Sequence, residues 1–201
     1  QPRAAFTPTE TYASLSVANG DFVGWVRIDG TGLDYPVMQT KAEPEFYLDH
    51  GFDRQSSVYG VPFADAACDL ARTGPVIIYS HNMEDGQMFA TLLDYRDPDF
   101  YQAHQLIRFD TLDSFSLYQI VAVLQANVTV DDPAAVDFSQ YAQLADEADF
   151  AAFQAMCTAA SLYNTGQTLA GSNQLLLLST CEYSEPNGRM VLVAKRLPDA
   201  I

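Results

Sequence analysis

A thiol closes the apolar run Gln174-Leu-Leu-Leu-Leu-Ser-Thr-Cys181, and a guanidinium opens a second apolar alternation, Arg189-Met-Val-Leu-Val-Ala194, eight residues further on. A strand exit followed by a strand entrance, joined by a short loop, brings the two groups over one cleft. His81 supplies a third group, because it follows the strand-like Gly74-Pro-Val-Ile-Ile-Tyr-Ser80 and begins the polar turn His81-Asn-Met-Glu-Asp-Gly86. Cysteine, histidine and arginine at three strand ends are the parts of a thiol acyl-transfer site. The thiol is a nucleophile, the imidazole moves protons, and the arginine is a fixed positive charge for an oxyanion.

The elements that must position these groups are mostly short strands separated by Gly, Pro, Asn and Asp. Apolar patterning predicts strands over 22–28, 35–39, 59–64, 76–79, 106–109, 115–126, 175–180 and 190–195. Without regular strand–helix alternation, such a set predicts a closed or nearly closed barrel, mainly β with added helices. Helical spacing predicts three additions. A short lead covers 8–15, a helix over 85–95 places Met88, Leu92 and Tyr95 on one face, and a longer one over 146–162 carries the stripe Phe150, Phe153, Met156, Cys157 and Ala160 toward the barrel.

Composition narrows the classes. A chain of 201 residues with 48% hydrophobic content suffices for one core. Its formal net charge of −16, with 10 basic residues, repels phosphate backbones and excludes nucleic acid as the expected partner. Three cysteines do not make a disulfide framework, and the Cys and His spacings match no zinc motif, so no metal is expected. Cys157 sits on the apolar stripe and Cys68 in a loop without a partner motif, which leaves Cys181 as the reactive thiol. His50 and His104 fall in turn-like stretches that suit packing roles. Lys195 and Arg196 lie at the far end of the Arg189 strand, about 20 Å away, and serve no common site with it.

The stretches Leu178-Ser-Thr-Cys181 with Arg189 downstream, and Tyr79-Ser-His-Asn-Met83 followed by Asp85-Gly-Gln-Met-Phe-Ala-Thr-Leu92, resemble the sortases, specifically class B. Asn19-Gly-Asp-Phe-Val-Gly-Trp-Val26, Asp34-Tyr-Pro-Val37, Phe46-Tyr-Leu48 and Ser161-Leu-Tyr-Asn-Thr-Gly166 extend the similarity along nearly the whole chain. One departure is Ser80, where the family usually has glycine before the histidine. The resemblance implies an eight-stranded sortase-type barrel with an N-terminal helix and a helix inserted before the cysteine strand. Residues 1–18 form the helical lead and 19–201 a single catalytic domain in that scheme.

By the same resemblance Cys181, His81 and Arg189 are catalytic, and Tyr79, Leu162, Tyr163, Ser179, Thr180 and Glu182 lie beside the substrate, with the exit of the inserted helix as one wall of the groove. Glu182 is not read as the general base, since the family uses its backbone amide and a carboxylate disfavours a neighbouring thiolate. The implied reaction is cleavage of a Pro-x-Thr-type sorting signal after its threonine through a thioester, then transfer to a peptidoglycan amine, with no metal or organic cofactor. The implied setting is the extracellular face of a bacterial membrane, with contact to the membrane only through an amino-terminal anchor that these residues do not include. Alternatives are a class B pilin polymerase using a lysine acceptor, a cysteine peptidase or hydrolase using water, and a non-enzymatic binding module whose Cys181 would not react with thiol reagents.

Overall fold

The computed structural model describes residues 8–70, 74–129, 135, 138–142, 144, 146–184 and 187–198. Within them the chain forms a closed barrel of eight strands: β1 (Phe22–Arg27), β2 (Asp34–Met38), β3 (Phe63–Ala64), β4 (Val76–Tyr79), β5 (Leu106–Thr111), β6 (Leu117–Asn127), β7 (Leu175–Glu182) and β8 (Gly188–Arg196). Around the barrel the order is β1-β2-β3-β4-β7-β8-β6-β5, with β5 closing onto β1. Only β2–β3 and β4–β7 are parallel. The expected eight-stranded barrel is thus the observed fold.

Side-chain periodicity explains which strands read as alternating and which as continuous. β1 alternates buried and half-buried residues, as a strand with one covered face does. β7 instead buries Leu176 and Leu178 in the barrel interior and Leu175 and Leu177 on the outside. That outer face is covered by α3 (Glu147–Ala160), which follows the lead helix α1 (Pro8–Ala18) and a short α2 (Pro98–Ala103). Phe150, Phe153 and Cys157 of α3 pack on Ile77, Leu124, Val191 and Val193, with Met156 and Ala160 at the margin, as the apolar stripe predicts. The Asp146 carboxylate accepts from the amides of Ala148 (2.8 Å) and Asp149 (3.0 Å), capping the helix where its dipole favours negative charge.

Two expected elements differ. The stretch 85–95 is not one helix: Gly86 and Met88 adopt left-handed backbone, Asn82 bridges to Met88, and Phe89 N donates to His81 O at 2.9 Å. A closed loop results, and only Ala90–Arg96 winds, as a 3₁₀ turn. Leu92 and Tyr95 are buried as the helical spacing requires, whereas Met88 stays half-exposed and its amide donates to the Tyr35 hydroxyl at 3.0 Å. The strand over 59–64 shrinks to Phe63–Ala64 because Gly60, at φ +58°, turns the chain.

Candidate active site

Strand register brings the three reactive groups together. Tyr79 of β4 pairs with Ser179 of the parallel β7, so His81 and Cys181, two residues beyond each, stand at one level. Three hydrogen bonds hold that level: Ser80 N donates to Ser179 O (3.2 Å), Thr180 Oγ1 to Ser80 O (2.8 Å) and Asn82 Nδ2 to Cys181 O (3.1 Å). On the other side of β7, Cys181 lies opposite Arg189 in the antiparallel ladder with β8. Cysteine therefore sits between histidine and arginine, and all three line one cleft of about 460 Å³.

The immediate partners suit acyl transfer. His81 Nε2 lies 2.7 Å from the carbonyl oxygen of Leu48, across the cleft, while Arg189 Nη1 donates to Gly188 O at 3.0 Å. Cys181 is partly exposed, unlike the two other thiols. Burial pushes Cys68 up to about 11 and Cys157 up to about 12, so both stay protonated at neutral pH and offer no thiolate. Partial desolvation, followed by the charge and hydrogen bond of Cys181, raises the phenol of Tyr183, with Arg189 opposing. Tyr183 thus lies near the thiol while remaining exposed.

Of the residues expected beside the substrate, Tyr79, Ser179 and Thr180 line the cleft. Tyr79 donates its hydroxyl to Asp65 Oδ2 (3.0 Å), whose side also faces the cleft. Thr180 spends its hydroxyl on the strand-end brace to Ser80. The backbone of Glu182 ends β7 opposite Gly188, and its side chain lies outside the described residues. Ser80, the departure from the family pattern, is accommodated, but its buried hydroxyl has no hydrogen-bond partner among the described residues.

Leu162 and Tyr163 are not brought to this cleft among the described residues. Leu162 N donates to Val123 O (2.8 Å), and Tyr163 packs on Tyr101 with its hydroxyl donating to Tyr95 O (2.7 Å). The β6–β7 connection instead reaches the cleft before α3, at Ser139 in the 3₁₀ turn Phe138–Ala142, whose Phe138 and Ala142 are buried under the helix. Of this connection it is thus Ser139, before the helix, and not the helix exit that lines the cleft among the described residues. Sequence reading also did not single out Leu48 and Asn82, whose backbone carbonyl and side-chain amide contact His81 and Cys181.

The remaining polar residues fall into the expected structural roles. His50 Nδ1 bonds Phe46 O (2.9 Å) with its ring stacked on Phe46, and His104 Nδ1 bonds Phe100 O (3.1 Å). Lys195 Nζ reaches Thr168 O (2.6 Å) and Arg196 Nη1 reaches Gln174 Oε1 (3.3 Å), both at the far end of β8. Among the described residues no cluster could hold a metal ion, and no helix is long and apolar enough to cross a membrane.

A closed eight-stranded barrel with cysteine, histidine and arginine at one mouth defines a sortase. The Sortase domain family matches residues 26–197, and the chain belongs to that family. Its relatives place it with the sortase B enzymes, cysteine transpeptidases that anchor surface proteins. It is similar to sortase B of Staphylococcus aureus (33% identity over 188 residues, 92% of this chain and 73% of that protein) and to sortase B of Listeria monocytogenes (30% over 190 residues, 90% and 72%). Among solved structures, a mutant form of Clostridium perfringens sortase B superposes with a TM-score of 0.84 at 27% identity, covering 94% of this chain and 87% of that one. A Staphylococcus aureus sortase B–substrate complex gives 0.81 at 29% identity, with 96% and 87% covered.

Proposed function

We propose that this chain cleaves a Pro-x-Thr-type sorting signal after its threonine and joins the threonine carbonyl to a cell-wall peptidoglycan amine, at the extracellular face of a bacterial membrane. The observation that carries the reading is the β4–β7–β8 register, which sets Cys181 between His81 and Arg189 in one cleft. In this reaction the Cys181 sulfur attacks the threonine carbonyl carbon and the C–O π electrons move onto oxygen. Arg189 and backbone N–H groups near Cys181 stabilise that oxyanion. Collapse breaks the C–N bond, and protonated His81 gives its proton to the leaving amine. The acceptor amine then attacks the thioester, passes its proton to neutral His81, and sulfur departs. Cys181 suits the task because a thioester is reactive toward amines.

The cleft supplies recognition from both sides: Tyr79 and Asp65 on one flank, Leu48 and Ser139 on others. The test combines a library of sorting peptides with an amine acceptor and follows products by mass spectrometry. A peptide–amine product, plus a Cys181-linked acyl adduct lost in Cys181→Ala, is the expected result. Hydrolysis undiminished by added amine would point to a peptidase, and a lysine-only acceptor range to pilin assembly.

A further inference from the structure

Across the cleft from Cys181, the 3₁₀ turn Phe46–Leu48 ends in the carbonyl that receives His81 Nε2. A carbonyl oxygen accepts and never donates, so this contact requires a proton on Nε2 in both the neutral and the charged ring. Only Nδ1 is then left to gain or lose a proton. The turn is fixed from behind. Tyr47 is buried, its hydroxyl accepts from Asn19 Nδ2 (2.9 Å) and donates to Asp21 Oδ2 (2.8 Å), and Val61 N donates to Tyr47 O (3.0 Å).

Gly60 completes the backing. Its left-handed φ of +58° and its position leave no room for a side chain: a β-carbon there would lie 2.5 Å from the carbonyl oxygens of both Tyr47 and Leu48. Those atoms are backbone, so they cannot swing aside as a flexible side chain would. Any larger residue there forces a shift in the backbone that carries the Leu48 acceptor or in residue 60 against it.

We propose that Gly60 is a positioning residue for the reaction: by admitting the Leu48 carbonyl, it locks His81 in the Nε2–H tautomer and makes Nδ1 the nitrogen that exchanges protons with substrate. The inference rests on reading His81 as the proton carrier. In the cleavage step the Nδ1–H bond breaks, its electron pair stays on the ring, and the proton goes to the amine nitrogen released by the breaking C–N bond. A histidine free to take either tautomer would present the wrong nitrogen part of the time.

The test is ring-¹⁵N NMR of the histidines on the whole chain at alkaline pH, with the His81 signals assigned by their loss in His81→Gln. The expected wild-type pattern is a single Nε2–H tautomer. An Nδ1–H tautomer or an even mixture in the wild type overturns the proposal, whatever any variant does. In folded Gly60→Ala, checked by circular dichroism, the His81 signals should move toward a mixture, and kcat for an Asn-Pro-x-Thr peptide mixture should fall about tenfold with KM within twofold. A folded Gly60→Ala with wild-type tautomer and kcat also overturns it. If Gly60→Ala does not fold, the wild-type spectrum alone decides. His81→Gln that keeps cleaving peptide would instead refute the proton-carrier role, a separate failure visible without any tautomer change.

Discussion

Cys181 and Arg189 are direct partners across the β7–β8 ladder, one closing its strand and the other opening the next. A guanidinium held this way has its backbone fixed at the level of the Cys181 thiol, and its planar fork can offer two donors to an oxyanion formed there. Arg189→Lys should therefore lower the rate of thioester formation about a hundredfold to a thousandfold. Rapid-quench detection of the acyl-enzyme checks this. A near-wild-type rate would assign Arg189 to simple charge attraction.

The three thiols should separate cleanly. A methanethiosulfonate reagent added to the native protein is expected to modify Cys181 alone, and all three cysteines once denaturant is present, read by intact mass. The buried pair also has a pH consequence. Their folded values, about 11 for Cys68 and about 12 for Cys157, exceed the ordinary 9.0, so above that pH the unfolded chain holds fewer protons than the folded one. Stability from these groups is complete below pH about 9 and is lost as pH rises toward 12. The loss is on the order of 3 kcal/mol for Cys68 and about 4 kcal/mol for Cys157. Urea melts of Cys157→Ala between pH 8 and 11 should show a flatter decline than the wild type.

Tyr163→Phe should cost about 1 kcal/mol of stability, since it deletes the hydroxyl bond to Tyr95 O while keeping the ring on Tyr101. Ranking of sorting peptides should stay the same. A changed ranking would return Tyr163 to the substrate groove.

Ser80→Ala should leave stability unchanged or raise it by about 1 kcal/mol, because it removes a buried hydroxyl without a partner among the described residues and retains the strand-end backbone bonds. Thermal denaturation measures this. A loss of stability would mean that Ser80 Oγ is satisfied, for example by a bound water.

Much of this site was legible because strand ends are legible. Continuous apolar runs leading to Ser80 and Cys181 announced two strands with His81 and Cys181 at their ends, but that these strands are parallel neighbours whose register sets the two residues level is visible only in the sheet. The 85–95 stretch misled because Leu92 and Tyr95 do have helical spacing, while the Asp85-Gly86 turn that blocks a helix upstream depends on a positive φ. Leu48 was invisible as a functional residue for a different reason: every residue has a carbonyl, and only the path of the chain decides which one meets His81. Ser139 lies in a five-residue 3₁₀ turn too short to show periodicity.

The coat that α3 lays over β4, β7 and β8 ties the nucleophile's fate to that of the whole molecule. Strands sandwiched between barrel interior and helix open only when the core opens, so their amides belong with the slowest to exchange with deuterated solvent. Cys181 and Arg189 hang from the ends of those strands. Loss of the thiol site on heating should then coincide with global unfolding.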